Sequence, residues 1–142
     1  MNDYMARHIA EMALKELNVH GKILKNSTVL LFGLTFKEDV TDVRNSRAKD
    51  VIKYLREFGV KVVACEPNVS AEIIQQKFGI ETAALDALPM CDAIILINKH
   101  KQFSSLTLEM LKNKMDKPIL IDIKQLFQRK EAEQNGFVYR TL

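Results

Sequence analysis

The chain has 142 residues, of which 47% are hydrophobic and 27% are charged, and this composition is typical of one globular domain. The net charge of +3 is small and charges of both signs are mixed along the chain, which argues against a nucleic-acid-binding surface. No apolar run has transmembrane length and the amino terminus has no signal-peptide pattern, so we expect a cytoplasmic protein.

The elements predicted along the chain alternate between helices and strands. The predicted helices cover residues 2–17, 46–58, 70–78, 107–115 and 129–135, with a short helical turn within 85–93. The predicted strands cover residues 28–33, 60–67, 80–83, 93–97, 118–123 and 137–142. Such alternation favours right-handed βαβ crossovers. We therefore predict an α/β fold: a doubly wound, mainly parallel, Rossmann-like sheet of five to six strands, preceded by an amino-terminal helix.

The loop between Gly33 and Ser46, the 33–46 loop, is the strongest candidate for a ligand site. It follows the apolar run of residues 29–32, which is typical of a central strand buried on both faces. Ligands of open α/β sheets bind where loops leave the carboxyl ends of strands. The loop is dense in charge, with Lys37, Glu38, Asp39, Asp42 and Arg44.

Several familiar site patterns are missing from the sequence. Gly33 alone follows the first strand, where a dinucleotide-binding domain would have G-x-G-x-x-G. Cys65 and Cys91 have apolar neighbours, no CxxC spacing and no adjacent histidine, so we predict buried, reduced thiols and no metal site. The pattern predicts a doubly wound sheet without a complete cofactor site of its own.

Four motifs together carry a family resemblance. They are MNDY at residues 1–4, GLTFKEDVTDVRNS at 33–46, EPNV at 66–69, and the block from CDAIILINKHKQF to ILIDIK at 91–124. The chain closely resembles the carboxy-terminal domain of the UDP-glucose/GDP-mannose dehydrogenase family. The resemblance implies an NAD-dependent oxidation of C6 of a UDP-hexose or UDP-N-acetylhexosamine to the uronic acid.

The same resemblance implies a division of labour between two parts of the enzyme. In the family, an amino-terminal Rossmann domain holds NAD, and a cysteine nucleophile lies upstream of MNDY. Neither Cys65 nor Cys91 matches that cysteine, so we expect a fragment that has no catalytic residue and is inactive alone. Residues 1–20 would end an inter-domain helix, and residues 21–142 would form the UDP-binding domain.

Site residues follow from the resemblance position by position. Phe36 and Lys37 match a pair that contacts the nucleotide sugar, and Lys124 lies where many members have a sugar-contacting arginine. Arg44 matches an arginine that reaches NAD on the other domain, and Asp42 is expected to orient Arg44 or the loop. The Asp-x-Lys run ending at Lys124 is similar to the branch that oxidises UDP-N-acetylhexosamines in polysaccharide pathways.

Other interpretations stay open at this point. The expected partners are a UDP-sugar, the amino-terminal dehydrogenase domain and, in the intact enzyme, a second copy in a homodimer. The chain could instead be a non-catalytic nucleotide-binding module or a dimerisation or regulatory module. The apolar face of the first helix could be core or interface. Asp39 is predicted to be a turn or capping residue, and His100 a solvated loop residue rather than a ligand contact.

Overall fold

The computed structural model of the chain describes residues 3–35, 37, 39, 43 and 46–142. The α-helices are α1 (Asp3–Val19), α2 (Ala48–Glu57), α3 (Ala71–Phe78), α4 (Leu108–Lys112) and α5 (Arg129–Gln134). The strands are β1 (Thr28–Phe32), β2 (Lys61–Cys65), β3 (Glu81–Thr82), β4 (Ala93–Leu96), β5 (Ile119–Asp122) and β6 (Val138–Arg140). None of the helices in the described part of the chain is both long and apolar enough to cross a bilayer.

The six strands form one parallel sheet in the order β3-β2-β1-β4-β5-β6. The chain builds one half of the sheet outward from β1 and then returns to build the other half from β4. The order therefore reverses between β1 and β4, which is the topological switch point of a doubly wound fold. The predicted fold class is confirmed.

Two hydrophobic cores lie on opposite faces of the sheet, and β1 contributes to both. Val29 and Leu31 pack into the core that contains α1, α2 and α3. Leu30 and Phe32 pack into the other core, which contains α4 and side chains from the α5–β6 region. Side chains alternate between the two faces of a strand, so a strand covered on both faces must be apolar throughout. This burial explains the continuous apolar run that the sequence shows.

Helix α1 packs onto the sheet as part of the first core. Ala6, Ile9, Ala13 and Leu17 are fully buried, at the period expected for one face of a helix. The helix contacts α2, β4 and β5. The apolar face that the sequence left open as core or interface is therefore core in this chain.

The structure differs from the predicted elements in three segments. Residues 85–93 form no helix; Ala87 N–H bonds to the Ala84 carbonyl in one turn. The N–H groups of Cys91 and Asp92 instead bond to the carbonyls of the distant residues Lys114 and Thr28. Two 3-10 helices, Leu24–Asn26 and Lys101–Ser105, lie in segments where no helix was predicted.

Candidate functional site

The carboxyl ends of four neighbouring strands form one edge of the sheet, which we call the carboxyl edge. Its pairing continues one residue beyond the strands: the N–H of Gly33 bonds to the Cys65 carbonyl at 3.0 Å. In the same way the N–H of Ile97 bonds to the Phe32 carbonyl at 3.1 Å, and that of Ile123 to the Leu96 carbonyl at 2.9 Å. The segments that follow β1, β2, β4 and β5 therefore leave the sheet side by side.

Asn98 fills the crevice at the switch point. Its side chain is fully buried and its Nδ2 donates to the Thr35 carbonyl at 2.8 Å. Gly33 has φ +93°, and a Cβ there would lie 2.1 Å from Asn98 Nδ2. A dinucleotide-binding turn needs this space for the close approach of a pyrophosphate. Among the described residues, the space beside Gly33 is therefore taken by the Asn98 side chain.

Glu66, directly after β2, is a buried carboxylate with three hydrogen-bond partners. Its Oε1 accepts the N–H of Leu34 at 3.0 Å and a hydrogen bond from His100 Nε2 at 2.9 Å. Its Oε2 accepts the N–H of Asn68 at 3.1 Å. A buried carboxylate is tolerated only with such partners. Glu66 thus connects the segments that follow β1, β2 and β4.

His100 is 1% exposed, so the prediction of a solvated loop histidine was wrong. Its Nδ1 accepts the N–H of Asp39 at 2.7 Å. We therefore assign the ring proton to Nε2, which donates it to Glu66. The flanking Lys99 and Lys101 are exposed, and their charges led to the prediction of a solvated segment. His100 is buried nevertheless, because it bonds to Glu66, which is distant in the sequence.

Lys37 lies exposed on a short segment that is anchored on both sides. Before it, the Thr35 hydroxyl donates to the Lys37 carbonyl at 2.7 Å. After it, Asp39 is held by His100 and also accepts the N–H of Lys101 at 2.9 Å through Oδ1. Asp39 therefore caps the 3-10 helix that begins at Lys101, which agrees with its predicted turn and capping role.

Lys124 is half-buried in the segment that follows β5, and Asp122 fixes that segment. The buried Asp122 carboxylate accepts the N–H groups of Leu126 and Phe127 at 3.0 and 2.9 Å, and the hydroxyl of Tyr139 at 2.9 Å. Burial raises the pKa of Asp122, while these hydrogen bonds and the charge of Lys99 oppose the shift. Asp122 thus holds the backbone of the segment that carries Lys124.

The two described lysines leave the same edge of the sheet. Lys37 follows β1 and Lys124 follows β5, and these strands flank β4. Neighbouring strands are about 4.8 Å apart, and β1 and β5 are two strand positions apart. The points where the two segments leave the sheet are therefore separated by about 10 Å. Phe36, Asp42 and Arg44, the other predicted site residues, lie outside the described residues.

Sequence reasoning missed the residues that organise the edge, namely Glu66, Asn98 and Asp122. Each is a polar residue at the end of a strand buried on both faces, and this placement is the signal that could have found them. In the described part of the chain, no group of three or more His, Cys, Asp or Glu side chains could hold a metal ion.

Cys65 and Cys91 are buried free thiols, as predicted. Burial raises the pKa of both to about 12; Glu66 adds to the shift of Cys65, and Asp92 to that of Cys91. A thiol with such a pKa is protonated at neutral pH and is a poor nucleophile. The carboxyl edge therefore offers cations and hydrogen-bonding groups for binding, but neither of these thiols as a nucleophile.

Comparison with known proteins assigns this chain to a family. Residues 30–129 match the sequence model of the UDP-glucose/GDP-mannose dehydrogenase family, UDP binding domain. UDP-N-acetyl-D-glucosamine 6-dehydrogenase of Salmonella typhi is 32% identical over 134 residues, which cover 94% of this chain and 32% of that protein. UDP-glucose 6-dehydrogenase TuaD of Bacillus subtilis (strain 168) is 28% identical over 144 residues, covering 99% of this chain and 30% of that protein.

A solved structure agrees with the fold over the whole chain. The NDP-N-acetyl-D-galactosaminuronic acid dehydrogenase from Methanosarcina mazei Go1 superposes with a TM-score of 0.83 at 27% identity, covering 99% of this chain and 29% of that one. The chain spans about a third of the length of the curated relatives it matches. The family match extends from β1 to the start of α5 and so includes the carboxyl edge. The chain belongs to the UDP-glucose/GDP-mannose dehydrogenase family and contains its UDP-binding domain.

Proposed function

We propose that this chain is the nucleotide-sugar-binding part of an NAD-dependent UDP-sugar 6-dehydrogenase. The whole enzyme would oxidise C6 of a UDP-hexose or UDP-N-acetylhexosamine to the uronic acid. The observation that carries the proposal is the placement of Lys37 and Lys124 on two anchored segments at the carboxyl edge of a UDP-binding-domain fold. Two cations on fixed segments suit a ligand that carries a diphosphate.

Lys37 is the principal ligand-binding residue of the proposal. Its exposed ammonium acts as a point charge that neutralises phosphate or donates hydrogen bonds to the sugar. Phe36 contacts the nucleotide sugar beside it, and Lys124 supplies the contact that an arginine makes in other members. Because an ammonium lacks the fork of a guanidinium, Lys124 binds without bidentate geometry.

NAD would be held mainly by a separate amino-terminal Rossmann domain, because Asn98 fills the turn at which a dinucleotide would bind here. Arg44 would reach that NAD with its guanidinium fork, oriented by Asp42. The catalytic cysteine would also lie outside this chain. The role of this chain is to bind and orient the UDP-sugar.

Residues 1–20 would continue a helix from the amino-terminal domain, and residues 21–142 would form the UDP-binding domain. The burial of α1 on the sheet supports a firm attachment of such a helix to this domain. The intact enzyme would be a homodimer. We place it in the cytoplasm, where the two buried thiols would stay reduced.

The sugar of the proposed substrate is an N-acetylhexosamine, as in the synthesis of polysaccharides and surface sugars. The Asp122-x-Lys124 run supports this choice. The relatives include a protein named for UDP-N-acetyl-D-glucosamine and a structure named for N-acetyl-D-galactosaminuronic acid, and also one named for UDP-glucose, so the choice rests on this run.

Calorimetric titration of the wild-type chain with UDP, UDP-N-acetylglucosamine and UDP-glucose tests the proposal. Losing one charge-assisted contact costs about 1.5–3 kcal/mol, so Lys37→Ala should weaken UDP binding by about 10- to 150-fold. Lys117→Ala is the matched control, because Lys117 is exposed just before β5 at the opposite edge of the sheet. Equal affinity of the wild-type and Lys37→Ala chains for UDP would contradict the assigned role.

A further inference from the structure

We infer that Glu66 and His100 are positioning residues that hold Lys37 in place for the nucleotide. The inference rests on the proposed function, because it assigns these two side chains an effect on UDP binding. Neither side chain is available to the ligand itself, since both are buried and their polar atoms bond within the protein. Their effect must therefore pass through the backbone N–H groups that they hold, those of Leu34 and Asp39.

The first anchor lies before Lys37. Glu66 accepts the N–H of Leu34, and the Ser46 hydroxyl donates to the Leu34 carbonyl, so both polar groups of this peptide segment are held. Ser46 Oγ also accepts the N–H of Ala48 at 3.1 Å, which ties the loop to the start of α2. Asn98 then holds the next carbonyl, that of Thr35.

The second anchor lies after Lys37. His100 Nδ1 accepts the N–H of Asp39 at 2.7 Å, and the Asp39 carboxylate accepts the N–H of Lys101. Asp39 has φ 58°, a left-handed conformation that is uncommon for residues other than glycine. Two hydrogen bonds compensate for this conformation, which turns the chain directly beyond Lys37. Strained backbone held in this way is frequent at ligand-binding sites.

Glu66 and His100 join the two anchors into one unit. Glu66 holds Leu34 directly. It holds Asp39 through the imidazole ring, whose Nε2–H donates to the Glu66 carboxylate. The ring is also packed at a centroid distance of 5.3 Å from Phe103, so it has a defined orientation. Lys37 lies midway along the chain between the two held N–H groups. This arrangement reduces the entropy that the loop would lose when Lys37 binds a phosphate.

Two variants of His100 separate its bond to Asp39 from its bond to Glu66. Asn places an oxygen near the position of Nδ1 and so keeps an acceptor for Asp39. Gln places an amide near the position of Nε2 and so keeps a donor for Glu66. If the ring positions Lys37 through Asp39, His100→Gln should weaken UDP binding by about 10-fold. His100→Asn keeps the acceptor for Asp39 and loses only the bond to Glu66 that orients it, so it should weaken binding less than His100→Gln does.

A double-mutant cycle tests whether the effect passes through Lys37. UDP affinity is measured by calorimetry for the wild-type chain, His100→Gln, Lys37→Ala and the double variant, with the melting temperature of each. The inference predicts that His100→Gln changes affinity by less than about 2-fold once Lys37 is Ala, because coupled residues are not additive. A 10-fold loss in both backgrounds, or stronger binding by His100→Gln than by His100→Asn, would overturn it.

Amide hydrogen exchange gives a readout that does not depend on the ligand. The N–H of Asp39 should be protected in the wild-type chain and should lose protection in His100→Gln, while Leu34 stays protected through Glu66. Unprotected Asp39 in the wild-type chain would overturn the inference whatever UDP does. Absence of UDP binding by the wild-type chain, with the predicted exchange pattern intact, would instead contradict the proposed function and the assigned effect on binding, leaving the anchor itself supported.

Discussion

Gly33 and Asn98 determine the shape of the carboxyl edge at the switch point. Gly33 supplies a positive φ and leaves the space that the Asn98 amide occupies. Asn98 in turn holds the Thr35 carbonyl and accepts the N–H of His100 at 3.2 Å. The glycine thus admits a side chain of the protein itself, where a dinucleotide-binding glycine admits a phosphate.

Replacing Gly33 with Ala should destabilise the fold by about 2–5 kcal/mol, because the left-handed backbone cost and the overlap with Asn98 add together. Gly21→Ala is the control: Gly21 has φ +76° but a Cβ there would meet nothing within 4 Å. It should cost about 1–2 kcal/mol from the backbone alone. Urea unfolding of both variants measures the difference, and equal costs would contradict the close approach of Asn98.

The buried residues of the site show where sequence reasoning fails. Lys37 and Lys124 could be placed at the carboxyl edge from the sequence, because each closely follows a run that reads as a strand buried on both faces. The burial of His100 could not, since it depends on Glu66, which is 34 positions away in the chain. Long-range hydrogen bonds leave no local pattern, and Lys99 and Lys101 gave the segment a solvated character.

Helix α1 behaves as an integral part of the domain. Its apolar face packs on β4 and β5 and against α2, and Arg140 of β6 forms an ion pair with Glu16 of the helix. The helical period predicted the buried face correctly. The period alone could not say whether the sheet or another chain covers that face, because an apolar stripe suits either.

Ile9→Ala should lower the free energy of unfolding by about 2–5 kcal/mol, since Ile9 is fully buried in the core between α1 and the sheet. Val19, at the end of the same helix, is 64% exposed, so Val19→Ala should change stability by less than about 0.5 kcal/mol. Chemical denaturation gives both values. A negligible effect of Ile9→Ala would show that α1 is not docked on the sheet.

The positions of the strands could be predicted from the sequence, whereas the conformation of some connecting segments could not. Strands covered on both faces must be apolar at every position, and glycine or proline ends several of them. Residues 85–93 have helix-forming composition, but the N–H groups of Cys91 and Asp92 pair with carbonyls of distant segments instead of with a helix. Tertiary pairing overrides local propensity in such a short segment.

Over the whole molecule, the two buried thiols make stability depend on alkaline pH. Burial raises the pKa of Cys65 and Cys91 from 9.0 to about 12 in the folded chain. Between these values the unfolded chain loses thiol protons that the folded chain keeps, so folding is favoured less as pH rises. Each thiol should remove up to about 1.4 kcal/mol of unfolding free energy per pH unit above pH 9.

Urea unfolding at pH 8 and at pH 10.5 checks this dependence against the Cys65→Ala/Cys91→Ala double variant. The wild-type chain should lose more stability than the variant over this interval. An equal loss in the two proteins would mean that the thiols are not buried as the structure has them.

At the scale of the whole molecule, the proposed nucleotide site lies at one edge of the sheet, the carboxyl edge. Both predicted lysines that the structure describes, together with the Glu66–His100 pair, lie at the carboxyl edge, and the family match covers the same region. Since the chain spans about a third of its relatives' length, the property to measure on this chain is nucleotide binding rather than turnover.

The most direct test is a map of backbone amide chemical shifts during titration of the wild-type chain with UDP. We expect shifts centred on Lys37, on Asp39 and on the segment that contains Lys124. The amides of Lys61 and Lys117 at the opposite edge should stay unchanged. Shifts confined to the opposite edge, or none at millimolar UDP, would contradict a nucleotide site at the carboxyl edge of this chain.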